Sequence, residues 1–179
     1  MEKRPHKETV RIVVTGPEST GKTNIAKYLA RTFHGVWVPE YARNYISGLK
    51  RKYNYKDIEK IAQRQVEEYN RFSEIVPQLL IFDTWLIITK VWFKIAYGKY
   101  PEWVEKKINE LDIDMFLICA PDIPWIADNV RENGGPMRDE LFDIYIEEIM
   151  RISRPYKIVR GKNSKRYECA ANYLQKYLE

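Results

Sequence analysis

The chain has 179 residues, of which 45% are hydrophobic and 31% are charged, and this composition is typical of one globular α/β domain. Its net charge of +5 is mildly basic and suits a pocket for anionic phosphates, so we do not expect a nucleic-acid partner. Its two cysteines make neither a disulfide framework nor a zinc motif. No apolar run approaches the roughly 20 residues of a membrane helix, and the charged start, MEKRPHKETV, is unlike a signal peptide. We therefore expect a cytoplasmic protein that forms a single domain over residues 1–179, with residues 1–8 disordered.

Short apolar runs of strand length alternate with longer helical patterns along the chain. In chain order, the predicted elements are strand Val10–Thr15, helix Asn24–Thr32, strand Val36–Val38, helix Asp57–Phe72, strand Leu79–Phe82, helix Thr84–Tyr97, helix Pro101–Leu111, strand Met115–Cys119, helix Pro124–Val130, a loop over 131–138, helix Asp139–Ile152, strand Tyr156–Val159 and helix Ser164–Leu178. The strands are apolar throughout rather than alternating, which predicts a mostly parallel sheet covered on both faces. We expect a three-layer, doubly wound α/β fold of about five strands, in which ligands bind at the carboxyl ends of the strands.

A phosphate-binding motif follows the first predicted strand. Residues 16–23 read GPESTGKT, which matches G-x-x-x-x-G-K-[ST] between a strand and a helix. In such a loop, backbone N–H groups and the helix N-terminus surround the phosphates. The residues predicted to bind the phosphates of ATP are Gly16, Ser19, Thr20, Gly21, Lys22 and Thr23. Lys22 would reach the β- and γ-phosphates, and the Thr23 hydroxyl would coordinate Mg²⁺.

The third predicted strand ends in a carboxylate, Asp83. An apolar strand that ends in aspartate is the Walker B pattern, in which the carboxylate holds Mg²⁺ directly or through water. The same position also suits a helix N-cap. Together with the phosphate loop, the pattern favours a metal-binding or catalytic role for Asp83.

Other features favour a small-molecule kinase among P-loop proteins. The chain has neither the [NT]-K-x-D nor the D-x-x-G motif of a GTPase. Glu40 follows the short second strand, and Arg131 and Arg138 flank a Gly-rich segment. We interpret residues 131–138 as an Arg-bearing lid that excludes water and neutralises charge on the transferred phosphoryl group.

Several motifs together resemble the ribosylnicotinamide kinase domain of the bacterial NadR family, over nearly the whole chain. They are GPESTGKT at 16–23, PEYARNY at 39–45, IFDTWLIITKVW at 81–92, PWIADNVR at 124–131 and Arg138. The resemblance implies transfer of the ATP γ-phosphate to the 5′-hydroxyl of nicotinamide riboside, giving nicotinamide mononucleotide for NAD synthesis. Full-length members add an adenylyltransferase domain with an H-x-G-H motif, which the two histidines here, His6 and His34, do not form. The chain also departs from better-known members at Pro39, Trp85 and Ile88.

Glu40 is our candidate for the group that orients or deprotonates the acceptor hydroxyl, and Asp83 is its rival. The candidates for binding the acceptor are Glu40, Tyr41, Arg43, Trp85, Trp125 and Asp128. A cationic pyridinium ring favours an aromatic face, and the three aromatic candidates sit beside predicted strand ends. For each of them, a place in the hydrophobic core is the alternative.

Two other functions remain open at this point. One is a kinase for another nucleoside or small metabolite. The other, from a different class, is a regulatory module that binds ATP and transfers little phosphate. The oligomeric state and the preference between ATP and GTP are not predicted.

Overall fold

The structure is a computed structural model that describes residues 9–127 and 132–179. In this part of the chain, the strands are β1 (Val10–Thr15), β2 (Val36–Val38), β3 (Leu79–Asp83), β4 (Met115–Cys119) and β5 (Tyr156–Val159). The helices are α1 (Lys22–Thr32), α2 (Tyr41–Ser47), α3 (Tyr55–Glu74), α4 (Leu86–Tyr97), α5 (Glu102–Glu110), α6 (Pro136–Arg151) and α7 (Ser164–Leu178).

The five strands form one parallel sheet in the order β2-β3-β1-β4-β5. β1 is central, and its register places Val14 opposite Asp83 of β3 and opposite Leu117 of β4. All five carboxyl ends therefore meet at one edge, where the phosphate loop follows β1 and Glu40 follows β2. This arrangement confirms the predicted doubly wound α/β fold.

Each face of the sheet packs against its own helices, because successive strand residues point to opposite sides. Ile12 and Val14 of β1 pack with α1 and α7. Val13, between them, packs with the larger core beneath α3, α4, α5 and α6. Every residue of β3 and β4 is buried, as expected for central strands of a sheet that is covered on both faces.

A buried ion-pair network ties α4 to α5 and α6. Lys90 Nζ contacts Glu148 Oε2 at 2.6 Å and also pairs with Glu105. Lys94 Nζ contacts the other oxygen of Glu148 at 2.6 Å. The paired charges fix α4 and α6 relative to each other, and both helices contribute walls to the cavity described below.

The predicted strands agree with the structure to within one residue, and the main differences concern three other segments. The helix predicted at Pro124–Val130 is wrong, because 124–127 are irregular, and the remainder of that prediction lies outside the described residues. The loop predicted for 131–138 ends early, since α6 begins at Pro136 and includes Arg138. α2 was not predicted as a separate helix. In the described residues, no helix is long and apolar enough to cross a membrane.

Candidate active site

The loop after β1 is shaped by glycines at both ends. Gly16 has φ +135°, and a Cβ added there would lie 2.5 Å from the carbonyl oxygen of Cys119 on β4. Only glycine fits so close to a neighbouring strand with that backbone conformation. Gly21 has φ +76° and precedes α1 without a side-chain capping hydrogen bond. The first N–H groups of α1 thus open onto the loop, as they do at a phosphate site.

Side chains within the loop hold it in a wound conformation. The Thr20 hydroxyl donates to the carbonyl oxygen of Pro17 at 2.8 Å, and Lys22 Nζ donates to the same oxygen at 2.8 Å. Ser19 adopts φ +56°, a left-handed conformation that is uncommon for residues other than glycine. The lysine ammonium therefore lies over the loop, on the side where phosphates would be held.

A buried arginine also holds the phosphate loop in place through hydrogen bonds to the backbone. Arg166, at the start of α7, donates to the carbonyl oxygens of Thr20 at 3.0 Å and Ala120 at 2.7 Å. It also pairs with Asp122, which follows β4, at 2.5 Å. This buried guanidinium therefore joins the segments that follow β1 and β4 and holds them together.

The phosphate loop opens into a cavity of about 520 Å³. Of the predicted site residues, the cavity is lined by Gly16, Ser19, Thr20, Gly21, Lys22, Thr23, Glu40 and Arg43. This size is suited to a small organic ligand beside a phosphate group. The structure therefore brings the predicted phosphate loop together with two of the predicted acceptor residues.

Glu40 follows β2 and Asp83 ends β3. Because these two strands are neighbours in the sheet, the two residues lie at the same edge. Glu40 precedes α2 and its side chain makes no capping hydrogen bond to that helix. Glu40 therefore does not act as a side-chain cap of α2, and it lines the cavity instead.

Asp83 is only 2% exposed. Burial, and secondly the charge of Glu40, raise the pKa of Asp83 to about 6, while the nearby Thr23 hydroxyl and the Lys22 charge lower it in part. Neither carboxylate oxygen accepts a hydrogen bond of standard geometry from the described residues. A buried carboxylate whose oxygens accept no such hydrogen bonds is suited to binding a cation.

The segment before α6 is fastened to the phosphate loop. The Glu18 carboxylate accepts hydrogen bonds from the backbone N–H groups of Glu132 at 3.0 Å and Asn133 at 2.8 Å. Arg138, which is 7% exposed, donates to the carbonyl oxygen of Ser19 at 3.2 Å and to that of Ile123 at 3.1 and 3.2 Å. Arg138 is thus a buried residue of a helix, and the expectation that it belongs to an open loop is corrected. Arg131, its predicted partner in the lid, lies outside the described residues.

Three aromatic residues predicted to bind the acceptor lie elsewhere. Trp85 is 2% exposed and packs against Phe116, with ring centroids 6.3 Å apart, so it belongs to the core and not to the cavity. Tyr41 packs between Tyr45 and Arg64. Trp125 lies against Gly134 and under the guanidinium of Arg138. None of the three lines the cavity, and Asp128 lies outside the described residues.

Other side chains that line the cavity were not among the residues predicted to bind the acceptor, although three of them belong to the motif at 81–92. They are Tyr53, Gln65, Ile88, Thr89, Trp92 and Tyr145. Ile88 and Trp92 are four residues apart on α4, and this spacing places them on one helix face. The same periodicity also marks core positions, so the sequence offered no signal that separated wall from core.

A comparison with protein families finds that residues 11–166 match the model of an AAA domain, AAA_28. Among curated proteins, the trifunctional NAD biosynthesis/regulator protein NadR of Salmonella typhimurium is 24% identical over 144 residues. That match covers 78% of this chain and 35% of NadR. The chain thus spans about a third of the curated relative it matches, and the resemblance stated from its motifs is confirmed.

Two solved structures share the fold. One is a NadR protein in complex with NAD and AMP-PNP, with a TM-score of 0.79 and 20% identity, covering 94% of this chain and 49% of that one. The other is a NadR protein in complex with NR, with a TM-score of 0.75 and 20% identity, covering 94% and 50%. At this identity, the likeness shows the P-loop α/β fold.

Proposed function

This chain belongs to the AAA_28 family of AAA domains, and on that premise we propose that it is an ATP-dependent kinase that phosphorylates the 5′-hydroxyl of nicotinamide riboside. One observation carries the proposal: a single cavity joins the phosphate loop, the Glu40 carboxylate and an aromatic wall. The relatives support it, since NadR proteins match this chain and one of their structures holds NR. The product would be nicotinamide mononucleotide.

On the nucleotide side, the loop between β1 and α1 binds the phosphates. Backbone N–H groups of the loop and of the first turn of α1 hold the phosphate oxygens. Lys22 leaves the carbonyl oxygen of Pro17 and pairs with the β- and γ-phosphates. Arg138 keeps the loop in shape from α6, through its hydrogen bond to Ser19.

On the acceptor side, Glu40 is placed to orient the 5′-hydroxyl and accept its proton. It lines the cavity, whereas Asp83 is buried beside it. Phosphoryl transfer is catalysed mainly by positioning and electrostatic stabilisation, so alignment of the hydroxyl with the γ-phosphate is the main task of this carboxylate. Arg43, which also lines the cavity, would bind the ribose or a phosphate at its rim.

Thr23 and Asp83 would hold Mg²⁺. The fit rests on the buried Asp83 carboxylate, whose oxygens accept no hydrogen bond of standard geometry from the described residues. Those residues contain no group of three or more His, Cys, Asp or Glu side chains suited to a metal, so most ligands would come from phosphate oxygens and water, as Mg²⁺ prefers. When bound, the ion neutralises charge on the phosphates.

The proposal is tested by identifying the product. Purified protein is incubated with ATP, MgCl₂ and nicotinamide riboside, and the mixture is analysed by mass spectrometry. We expect nicotinamide mononucleotide from the wild type and none from Lys22→Ala. The 5′-deoxy analogue of nicotinamide riboside should give no phosphorylated product. Formation of a phosphorylated product from that analogue would contradict transfer to the 5′-position.

A further inference from the structure

A buried carboxylate, Asp57, lies in the first turn of α3 and is 1% exposed. It completes the N-terminal cap of α3, because its Oδ2 accepts a hydrogen bond of 2.8 Å from the backbone N–H of Asn54. Two further partners come from the chain before that cap. The Tyr45 hydroxyl of α2 donates to Oδ1 at 2.9 Å, and the Arg51 guanidinium donates to the two carboxylate oxygens at 2.6 and 2.9 Å. Asp57 therefore fastens α2 and the connection after it to α3.

Helix α2 depends on such contacts, because it packs little apolar surface of its own. It has seven residues, and none of them is buried. A helix this short is not stable in water by itself. Its contacts with α3 include the Tyr45–Asp57 hydrogen bond and the Arg64 guanidinium, 5.7 Å from the centroid of the Tyr41 ring. The first of these involves a charged acceptor that is buried, and hydrogen bonds of this kind are the stronger ones.

The position of α2 determines where one side of the cavity lies. Glu40 is the residue immediately before its first turn, Arg43 lies one turn further on, and both line the cavity. Tyr45 and Asp57 belong to the described part of the chain but do not line it. Any effect that these two residues have on the reaction therefore passes through α2. A displacement of about 1 Å at a reacting group can lower a rate about 10²-fold, so a small movement of α2 would affect Glu40 strongly.

We propose that Asp57 is a positioning residue whose carboxylate holds the Tyr45 hydroxyl, and with it α2, so that Glu40 stays turned toward the acceptor hydroxyl. Burying a carboxylate is costly unless it is paired and hydrogen-bonded, and Arg51 supplies the pairing charge. The inference rests on the proposed function, since Glu40 is the residue placed there to orient the 5′-hydroxyl. It adds an anchor that lies outside the cavity and touches neither ligand.

The test is a double-mutant cycle between Tyr45 and Glu40. Tyr45→Phe removes the hydroxyl but keeps the ring, the cap of α3 and the Arg51–Asp57 pair. With nicotinamide riboside as acceptor, we expect it to lower kcat about 5- to 50-fold and to leave KM for ATP within about twofold. In a Glu40→Gln background, the same change should lower the residual kcat less than about twofold, because the carboxylate that α2 positions is gone. Equal losses in both backgrounds, or no loss in either, would overturn the proposal.

A matched variant separates positioning from a general loss of stability. The Tyr177 hydroxyl of α7 donates to Asp114 Oδ1 at 3.4 Å. Asp114 immediately precedes β4, so this second tyrosine–aspartate contact lies at the amino-terminal edge of the sheet, away from the cavity. Tyr177→Phe makes the same chemical change there and should leave kcat and both KM values unchanged. A loss of kcat equal to that of Tyr45→Phe would count against a specific role for α2.

A second measurement does not depend on turnover. Amide hydrogen exchange, followed by mass spectrometry, should become about tenfold faster or more over 41–47 in Tyr45→Phe and stay as in the wild type over α3. Unchanged exchange over 41–47, or equal acceleration in both helices, would overturn the anchor. If the wild type transfers no phosphate to nicotinamide riboside, the proposed function is contradicted, and the exchange measurement still decides whether Tyr45 and Asp57 hold α2.

Discussion

The guanidinium of Arg138 donates a hydrogen bond of 3.2 Å to the backbone carbonyl oxygen of Ser19, joining the first turn of α6 to the phosphate loop. The same guanidinium binds the carbonyl oxygen of Ile123, so one buried cation connects three segments. An arginine placed in this way determines the shape of the loop before any nucleotide binds.

Replacement of Arg138 should therefore reduce stability as well as catalysis. Arg138→Ala removes the hydrogen bonds that the charged guanidinium donates to the carbonyl oxygens of Ser19 and Ile123, and a hydrogen bond to a charged group contributes about 1.5–3 kcal/mol. We expect the free energy of unfolding in urea to fall by about 2–5 kcal/mol, and kcat to fall by more than KM for ATP rises. Arg31→Ala, at an exposed position of α1, is the control and should change neither. An unchanged free energy of unfolding for Arg138→Ala would show that the guanidinium does not support the loop.

Glu40 should affect turnover and not nucleotide binding. Because a general base contributes about 10²–10⁴-fold, Glu40→Gln should lower kcat at least 100-fold. The affinity for AMP-PNP, measured in parallel, should stay within about twofold. Turnover that survives within about tenfold would exclude Glu40 as the base and leave Asp83 in that role.

Asp83 should give the stability a particular pH dependence in metal-free buffer. Its pKa is about 6 in the folded protein, against about 3.9 in an unfolded chain. Between about pH 4 and 6, the folded state keeps a proton that the unfolded chain releases. The contribution of Asp83 to the free energy of unfolding is therefore fully present below pH 4 and is lost as the pH rises to 6.

The size of this effect is up to about 3 kcal/mol, from two pH units at about 1.4 kcal/mol each. Urea unfolding in EDTA at several pH values between 4.5 and 7.5 measures it. The difference between wild type and Asp83→Asn isolates this group from other carboxylates. Parallel pH profiles for the two proteins would contradict the raised pKa.

Gly16 should tolerate no side chain. In Gly16→Ala, the new Cβ would lie 2.5 Å from the carbonyl oxygen of Cys119, and that backbone atom is held in place because β4 pairs with β1 and β5. We expect AMP-PNP binding to weaken at least tenfold, measured by titration calorimetry. Gly98→Ala is the matched control, since Gly98 also has positive φ but a Cβ there meets nothing within 4 Å. It should cost about 1 kcal/mol of stability and leave binding intact, and similar binding losses in both variants would assign the effect to backbone strain alone.

The sheet and the phosphate loop were predictable from the sequence because both depend on local patterns. Buried parallel strands appear as continuous apolar runs, and the glycine spacing of the loop follows from how a backbone surrounds a phosphate. Strand β4 and the loop at Gly16 could be predicted from their own residues alone, without information from distant parts of the chain. These local patterns were sufficient to predict the fold, which the structure confirms.

The acceptor wall was not predictable in the same way. Trp85 and Trp92 are both tryptophans on or next to α4, yet Trp85 is buried in the core and Trp92 lines the cavity. Their difference depends on which side of α4 faces the sheet and on where Tyr53 packs, which are tertiary facts. Likewise, 124–127 are irregular and the Ile126 N–H there donates to the Ser19 hydroxyl, a contact between residues 107 positions apart that the sequence pattern does not show.

The most direct test of the central claim is the rate of ADP release with ATP and Mg²⁺, measured by a coupled assay with a panel of nucleosides. The account predicts that nicotinamide riboside raises the rate by at least 100-fold over ATP alone, and that deoxynucleosides raise it far less. A rate that no nucleoside changes, in protein that still binds AMP-PNP, would contradict the account and favour a regulatory ATP-binding module. Stimulation by a deoxynucleoside alone would contradict the choice of acceptor.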